Sequence, residues 1–238
     1  MTTDVRVCED ADDLAQRAAD AVAGAIAGAV QSHGQCTVAL AGGDTPRALY
    51  AALAARFGES LPWKHVHVFW GDERFVPSGD RRRNEAMAKE TLLDHVPCPP
   101  ANIHPISTDA ASSDAAAAGY EATLRRWFSS QWPQFDLVLL GLGADGHTAS
   151  LFPGSSALDE TTRWAVAATA PADPPSRVTL TLPVFNRAEL TFFLVAGAEK
   201  THALRRVLAG ADARILPAAG VRPSRGSVIW WVDRAAAP

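Results

Sequence analysis

Cysteine is scarce in this sequence: the 238 residues include Cys8, Cys36 and Cys98. The three are far apart, form no CxxC pair and stand in no Cys/His cluster at metal-ligand spacing, which excludes the common zinc motifs. Their odd number and wide spacing also give no disulfide framework. We therefore expect three reduced thiols in a cytosolic protein.

Long apolar runs are missing as well. The segment 1–13 is acidic and lacks the apolar core of a signal peptide. The stretch 18–30 is rich in alanine and glycine, but it is shorter than the about 20 residues that a bilayer-spanning helix needs. The sequence therefore predicts a cytoplasmic location without a membrane anchor.

Positive charge is modest, with 22 basic against 26 acidic residues and a formal net charge of -4. This balance gives no electrostatic reason to expect nucleic acid or an anionic membrane as partner. A phosphorylated substrate would need a local basic pocket. Lysine occurs only at Lys64, Lys89 and Lys200, so each of these is a candidate for a specific role.

Apolar residues make up 47% of the chain, and predicted strands and helices alternate along it. The predicted strands span 37–41, 65–70, 135–140, 164–169, 177–182, 190–195 and 227–232. The predicted helices begin after Asp10 and near Pro46, and later ones span 84–95, 115–130 and 199–208. This alternation favours one α/β domain over 1–238 with an open, mainly parallel, Rossmann-like sheet and helices on both faces. In such sheets ligands bind beyond the carboxyl ends of the strands.

A glycine-rich turn, AGGDTP, follows the first of these strands. Gly42 and Gly43 let backbone N–H groups approach an anion closely, Thr45 adds a hydroxyl, and the next helix points its positive end at the same place. These features predict a phosphate cradle. The alternative is a tight turn in which Asp44 or Thr45 caps the helix. Asp44 opposes an anion site unless its carboxylate turns away to cap the helix.

The segment GDER, which contains Asp72 and Arg74, follows the second predicted strand directly. Arg74 could bind a phosphate or carboxylate through two hydrogen bonds. The alternative is a surface cluster of ion pairs. The nearby run 81–83 consists of three arginines, which we expect in a solvated loop, although one of them could face a substrate.

The segment GLGADGHT follows the buried strand 135–140 and contains Asp145 and His147. A neutral imidazole is a competent general base for water, and a carboxylate can orient it. The alternative is a structural turn in which the histidine is a cap. The glycines of this segment do not have the spacing of the dinucleotide-binding fingerprint. Two further cations, Arg177 and Lys200, open a strand and a helix, and each could contact a phosphate or simply be exposed.

Six motifs in order resemble the 6-phosphogluconolactonase family, within the superfamily of glucosamine-6-phosphate isomerases and 6-phosphogluconolactonases. They are LAGGDTP, FWGDERFVP with Asn84 after it, FDLVLLGLGADGHTASLFPG, RVTLTLP, FFLVAGAEK and GSVIWWVDRAAA. The resemblance implies hydrolysis of 6-phospho-D-glucono-1,5-lactone in the oxidative pentose phosphate pathway, without metal or organic cofactor. It also implies the fold of glucosamine-6-phosphate deaminases and ribose-5-phosphate isomerases.

The resemblance also suggests roles for individual residues. His147 would be the base and Asp145 its orienting partner, while Arg74 or the N–H groups of the turn from Gly143 to Gly146 would stabilise the oxyanion. Asp72 joins this catalytic group, either in the chemistry or in the structure. The residues expected to bind substrate or phosphate are Gly42, Gly43, Asp44, Thr45, Asn84, Gly143, Gly146, Arg177 and Lys200.

Three positions depart from the family pattern. Ala41 and Asp44 replace the two serines of SGGSTP, which removes hydroxyl donors from the phosphate loop, and Arg83 replaces the serine that commonly precedes the asparagine. The alternatives to a lactonase are a deaminase-like isomerase and a non-catalytic sugar-phosphate sensor. Deaminases carry a glutamate at the position of Phe152, so residue chemistry favours the lactonase. The Asp145/His147 pair argues against a sensor, and the oligomeric state stays open.

Overall fold

The computed structural model describes residues 4–129 and 132–238. The strands of this part of the chain are β1 (Asp4–Cys8), β2 (Cys36–Leu40), β3 (Val66–Trp70), β4 (Asp72–Arg74), β5 (Leu137–Gly141), β6 (Ala165–Thr169), β7 (Ser176–Leu180), β8 (Leu190–Val195) and β9 (Ser227–Asp233). Its α-helices are α1 (Ala11–His33), α2 (Asp44–Phe57), α3 (Asn84–Thr91), α4 (Ser113–Trp127), α5 (Leu182–Phe185) and α6 (Thr201–Leu208).

Six strands form the main sheet in the order β1-β9-β8-β5-β2-β3, and every neighbouring pair is parallel. All five residues of β2 are buried. Since successive side chains of a strand point to opposite faces, both faces of the sheet are covered there. The predicted open, mainly parallel α/β sheet is confirmed. Its strands all end at one edge, where the loops after β2, β3, β5 and β8 lie.

Three strands form a second, antiparallel sheet in the order β4-β7-β6. The sequence predicted the strands 164–169 and 177–182 but assigned no separate sheet to them, and it missed the short β4. The connection between β6 and β7 explains their pairing, because it spans only residues 170–175. A parallel pair needs a crossover of about a dozen residues or more, whereas a short connection makes a hairpin.

The helices begin largely where the sequence predicts them. The Asp10 side chain accepts a hydrogen bond from the Asp13 N–H and caps α1, as expected of an aspartate before a helix. Helix α3 ends at Thr91, before the predicted end at residue 95, and a short 3-10 turn follows it. The predicted end of the fourth helix, Ser130, lies outside the described residues.

Large aromatic side chains form the centre of the core. Those with almost no exposed surface are Trp63, Trp70, Trp164, Tyr50, Phe69, Phe135, Phe185, Phe192 and Phe193. The three cysteines are buried and free. Among the described helices, none combines the length and the apolar character needed to cross a bilayer. Within the same part of the chain, no group of three or more His, Cys, Asp or Glu side chains is arranged to hold a metal ion.

Candidate active site

The glycine-rich turn after β2 leads directly into α2. Gly43 is the N-cap, with a φ of 103°, and no side chain caps the helix. The alternative in which Asp44 or Thr45 is the N-cap is therefore wrong. Asp44 is exposed, in the first turn of the helix. The first N–H groups of α2 consequently have no capping side chain, which is the arrangement of an anion cradle at a helix N-terminus.

Gly42 is required because Asn84 approaches its backbone closely. A β-carbon added at Gly42 would lie 1.9 Å from Asn84 Oδ1. Asn84 is buried at the start of α3, so its side chain has little room to retreat. The structure thus places the predicted phosphate loop against the asparagine that the sequence singled out.

The two acidic residues of the GDER segment are buried, and Arg74 is partly buried, so the alternative of a surface cluster of ion pairs is wrong. Asp72 is 7% exposed and Glu73 is 1% exposed. Ser150 Oγ donates to Asp72 Oδ2 at 2.6 Å, and Asn84 Nδ2 donates to Asp72 Oδ1 at 3.2 Å and to the Asp72 carbonyl at 2.9 Å. Asp72 therefore joins two other segments of the site by hydrogen bonds.

Glu73 holds the start of α3. Its carboxylate accepts hydrogen bonds from the backbone N–H groups of Arg74, Asn84 and Glu85 at 2.8, 2.6 and 2.9 Å. Burial raises the pKa of Glu73 to about 7, although these hydrogen bonds oppose the shift. Nothing in the sequence distinguished Glu73 from an ordinary surface acid.

The three arginines at 81–83 lie in two different environments. Arg81 and Arg82 are exposed, as predicted for a solvated loop. Arg83 is buried, where its guanidinium pairs with Glu85 and donates to the Ile106 carbonyl at 3.0 Å. The solvated-loop prediction is therefore wrong for Arg83. Because the Glu85 carboxylate already pairs with the Arg83 guanidinium, Arg83 is not available to a ligand.

Two cations face each other across the antiparallel ladder. Arg74 on β4 is the direct partner of Arg177 on β7. Arg74 donates to the Arg82 carbonyl at 2.5 Å, and Arg177 donates to the Pro174 carbonyl at 2.8 Å. Within the described chain, neither guanidinium lies within 4.0 Å of a carboxylate. Two adjacent cations without a close counter-ion suit an anionic ligand.

The electrostatics of Arg177 link it to Asp72. Partial burial lowers the pKa of Arg177, and the positive charge of Arg74 works in the same direction. The negative charge of Asp72 opposes both effects. Asp72 thus contributes favourably to the arginine pair without forming a direct ion pair with it.

The predicted base and its orienting carboxylate are in contact. His147 Nδ1 lies 2.6 Å from Asp145 Oδ1, which also accepts the His147 backbone N–H at 3.1 Å. Partial burial acts to raise the pKa of Asp145, but the hydrogen bonds from His147 outweigh it and hold that pKa below its usual range. The His147 ring packs on Phe152, with 4.7 Å between the ring centroids.

The glycines of the same loop make room for this pair. A β-carbon at Gly143 would lie 2.0 Å from His147 Nδ1 and 2.5 Å from Asp145 Oδ1. Gly146 has a φ of 82°, and a β-carbon there would meet Leu216 at 2.3 Å. Both positions therefore require glycine for the shape of the loop. The other interpretation of this segment, a structural turn in which His147 is only a cap, does not account for the contact between the His147 ring and Asp145.

Lys200 lies in the loop after β8, at the same edge of the sheet. Its ammonium group is 3.7 Å from Glu199, and its side chain is 24% exposed. In the described part of the chain, no hydrogen bond joins the side chain of Lys200 or Asp44 to the other candidate residues. The structure thus brings together the segments of Gly42, Asp72, Asn84 and His147, and it leaves Lys200 on a separate loop.

Besides Glu73, a second residue of this arrangement was not singled out from the sequence. Ser150, which is 0% exposed, stands inside the motif DGHTASLFPG, but a serine three residues after a histidine has no distinctive chemistry. Its only signal was its place within that motif. The contact with Asp72 spans 78 residues of sequence, so spacing could not indicate it.

A parallel α/β sheet with an Asp–His pair and an uncapped helix N-terminus at its carboxyl edge, together with an arginine pair on a second, antiparallel sheet, is typical of an enzyme that acts on a small anionic substrate. Residues 9–230 match the family described as glucosamine-6-phosphate isomerases/6-phosphogluconolactonase. The chain belongs to this family, as its motifs predicted.

The chain is similar to several known proteins of this family and fold. A 6-phosphogluconolactonase of Synechocystis is 44% identical over 240 residues, which cover 99% of this chain and 98% of that protein. The crystal structure of 6-phosphogluconolactonase from Leishmania guyanensis matches with a TM-score of 0.87 at 29% identity, covering 99% of this chain and 98% of the other. A monomeric glucosamine-6-phosphate deaminase matches with a TM-score of 0.82 over 98% of both chains. Its identity is 21%, so that likeness shows the fold alone.

Proposed function

We propose that this chain hydrolyses 6-phospho-D-glucono-1,5-lactone to 6-phospho-D-gluconate, in the oxidative pentose phosphate pathway and in the cytoplasm. The observation that carries the proposal is the contact of 2.6 Å between His147 and Asp145 at the carboxyl edge of the sheet. The full-length similarity to 6-phosphogluconolactonases supports the choice of substrate. The substrate is a small sugar phosphate, and we propose no role for nucleic acid, membrane or cofactor.

His147 acts as the general base in this proposal. Its Nδ1 is occupied by Asp145, so the neutral ring carries its proton on Nδ1 and leaves Nε2 free to accept a proton from water. The activated water attacks the lactone carbonyl, and His147 then returns the proton to the ring oxygen as the ester bond breaks. General base assistance of this kind contributes about 10²–10⁴-fold to a rate.

Arg74 is the better candidate for the oxyanion partner. The alternative was the set of N–H groups in the turn from Gly143 to Gly146. Within that turn, the Gly143 N–H donates to the His147 carbonyl and the Gly146 N–H donates to the Gly143 carbonyl. Two donors of the turn are therefore already bonded, whereas the Arg74 guanidinium has no carboxylate partner among the described residues.

The phosphate is proposed to lie at the N-terminus of α2. Gly42, Gly43 and Thr45 supply the cradle there, and the helix dipole adds a favourable potential. Arg177 and Lys200 supply positive charge from neighbouring loops and strands. The Asn84 side chain lies against the backbone of Gly42 and so supports the cradle. Asp44 stays at the rim of the cradle, exposed to solvent.

The deaminase reaction is less compatible with this site. Ring opening and amine loss need a further acid–base group near the histidine, and deaminases carry a glutamate at the position of Phe152. Here the aromatic ring of Phe152 packs on His147 and can exchange no proton. No described feature favours the alternative of a non-catalytic sensor over an enzyme.

The test is a lactonase assay in which glucose-6-phosphate dehydrogenase generates the lactone in place. Lactone disappearance is followed beyond the spontaneous rate for the wild type and for His147→Ala. We expect acceleration by the wild type and a loss of about 10²-fold or more in kcat for the variant, with KM largely kept.

The other outcomes separate the reaction from the base. Near-normal turnover by His147→Ala would keep the lactonase and move the base elsewhere, with Asp72 the next candidate. A wild type without acceleration would overturn the proposed reaction, and ammonia release from glucosamine 6-phosphate would then be measured.

A further inference from the structure

A buried chain of hydrogen bonds joins three loops of the site. Ser150 Oγ donates to one carboxylate oxygen of Asp72 at 2.6 Å, and Asn84 Nδ2 donates to the other at 3.2 Å. The exposed fractions of the three residues are 0%, 7% and 1%. Asn84 in turn packs against Gly42. The loop that carries His147 is therefore tied to β4, to α3 and to the phosphate loop.

The position of Ser150 affects the position of His147, because the two lie in one short, hydrogen-bonded segment. The two residues are three apart, and Thr148 between them is held by two hydrogen bonds. Thr148 Oγ1 donates to the Gly141 carbonyl at 2.9 Å, and the Leu151 N–H donates to the Thr148 carbonyl at 2.9 Å. A displacement of Ser150 therefore moves the loop of the base rather than being absorbed by a flexible connection.

Asp72 needs the serine for a physical reason. It is a buried carboxylate, and no cation of the described residues lies within 4.0 Å of it. A buried charge without an ion-pair partner is stable only where hydrogen-bond donors satisfy it. Ser150 and Asn84 are the neutral donors to its carboxylate, and the serine forms the shorter bond.

We propose that Ser150 is a positioning residue, whose hydrogen bond to Asp72 holds the loop of His147 at a set distance from β4. Strand β4 carries Arg74, and Arg177 lies opposite it. The bond thus sets the spacing between the base and the cations that face the substrate. The inference rests on the proposed lactonase reaction and adds a residue that touches neither the water nor the lactone.

The first test compares kcat and KM of Ser150→Ala, Ser150→Cys and the wild type in the lactonase assay. We expect Ser150→Ala to lower kcat by about 10- to 100-fold, since small misplacements of reacting groups have effects of this size. KM should change less than about threefold, because Asn84 keeps its own bonds to Asp72 and its contact with Gly42 when the serine is replaced. Ser150→Cys keeps a weak donor and should give an intermediate kcat.

The matched control is Ser155→Ala. Ser155, like Ser150, lies in the connection between β5 and β6. Its hydroxyl accepts a hydrogen bond from the Ala157 N–H at 3.2 Å and makes no hydrogen bond with Asp72. Its loss should leave kcat near the wild-type value. Thermal unfolding of each variant verifies that it is folded, and if Ser150→Ala does not fold, the comparison rests on Ser150→Cys.

The second test is a double-mutant cycle with Asp72→Ala, which removes both oxygens that can accept from Ser150. If the serine acts through Asp72, Ser150→Ala should lower kcat less than about twofold in the Asp72→Ala background. Additive losses, or a folded Asp72→Ala variant without measurable turnover, would overturn the inference, because Ser150 would act independently or Asp72 would react directly.

The failure of the inference and the failure of the proposed function look different. An active wild type together with a fully active Ser150→Ala overturns only the positioning role. A wild type that does not accelerate lactone hydrolysis overturns the proposed reaction, and the positioning role with it.

Discussion

At the scale of single residues, the site depends on where side chains are absent as much as on where they are present. His147 and Asp145 can meet because Gly143 leaves the space beside the ring free. Gly42 does the same for Asn84. These glycines therefore set distances between functional groups, which is a different task from giving the chain flexibility.

Gly143→Ala is expected to lower kcat by about 10²-fold, because the new methyl group would displace the His147 ring or the Asp145 carboxylate from the productive geometry. Gly141→Ala is the matched control, since a β-carbon there would meet nothing within 4 Å. Steady-state lactonase kinetics of both variants check the prediction. Wild-type kcat in Gly143→Ala would show that the spacing of the pair tolerates a methyl group.

At the scale of elements, the small antiparallel sheet brings charges together that are far apart in sequence. The pairing of β4 with β7 puts Arg74 opposite Arg177. The sequence predicted both arginines as candidates for an anion site, but it could not show that they are neighbours. The hairpin of β6 and β7 completes this sheet and holds Arg177 in place.

Arg177→Ala is expected to raise KM by about 10- to 100-fold with a smaller effect on kcat, because a charge-assisted hydrogen bond to a phosphate contributes about 1.5–3 kcal/mol. Lys200→Ala should act in the same direction. Arg81→Ala is the control, since that side chain is 89% exposed. Unchanged KM in both Arg177→Ala and Lys200→Ala would remove these residues from the phosphate site.

At the scale of the whole molecule, an aromatic cluster beside β3 makes stability depend on pH. The His104 ring stacks on Phe69 with 4.5 Å between centroids, and its Nε2 is 3.4 Å from His67 Nδ1. Burial lowers the pKa of His104 from 6.5 to about 4. The unfolded chain therefore binds a proton between these pH values that the folded chain does not, so this contribution to stability is present above pH 6.5 and is lost as pH falls toward 4.

The contribution of His104 to the free energy of unfolding should accordingly fall by about 1 kcal/mol between pH 7 and pH 5, after allowance for solvent screening of a half-buried ring. His104→Phe keeps the stacking and removes the titration, so its change in the free energy of unfolding from pH 7 to pH 5 should be more favourable than that of the wild type by this amount. Urea unfolding at both pH values measures the difference, and His202→Gln, on the exposed side of α6, is the control.

Glu73 acts in the opposite direction in the same measurement. Its folded-state pKa of about 7 lies above the usual 4.5, so the folded chain binds the extra proton and stability from this group falls as pH rises through that interval. Both proteins retain Glu73, so comparing their pH slopes isolates His104. Equal slopes in wild type and His104→Phe would contradict the role assigned to the ring.

Local chemistry was predictable from the sequence. The Asp10 cap, the helix after the AGGDTP turn and the buried strand before GLGADGHT all depend on neighbouring residues, and each is present. The contact between Asp145 and His147 was expected for the same reason, since the two are separated by a single residue. The burial of Arg83 was not, because it depends on Glu85 and on a carbonyl from a distant loop.

By itself, the sequence determined the parallel α/β sheet, the family and the presence of an Asp–His pair beside glycine-rich turns, because strand periodicity and short motifs are local properties of the chain. Only the tertiary structure decided that Ser150 donates a hydrogen bond to Asp72 across 78 residues and that Arg74 faces Arg177. It also decided that β6 and β7 pair in a second sheet instead of joining the main one. Such contacts arise when the order of strands brings distant segments to one edge, and no spacing along the chain encodes that order directly.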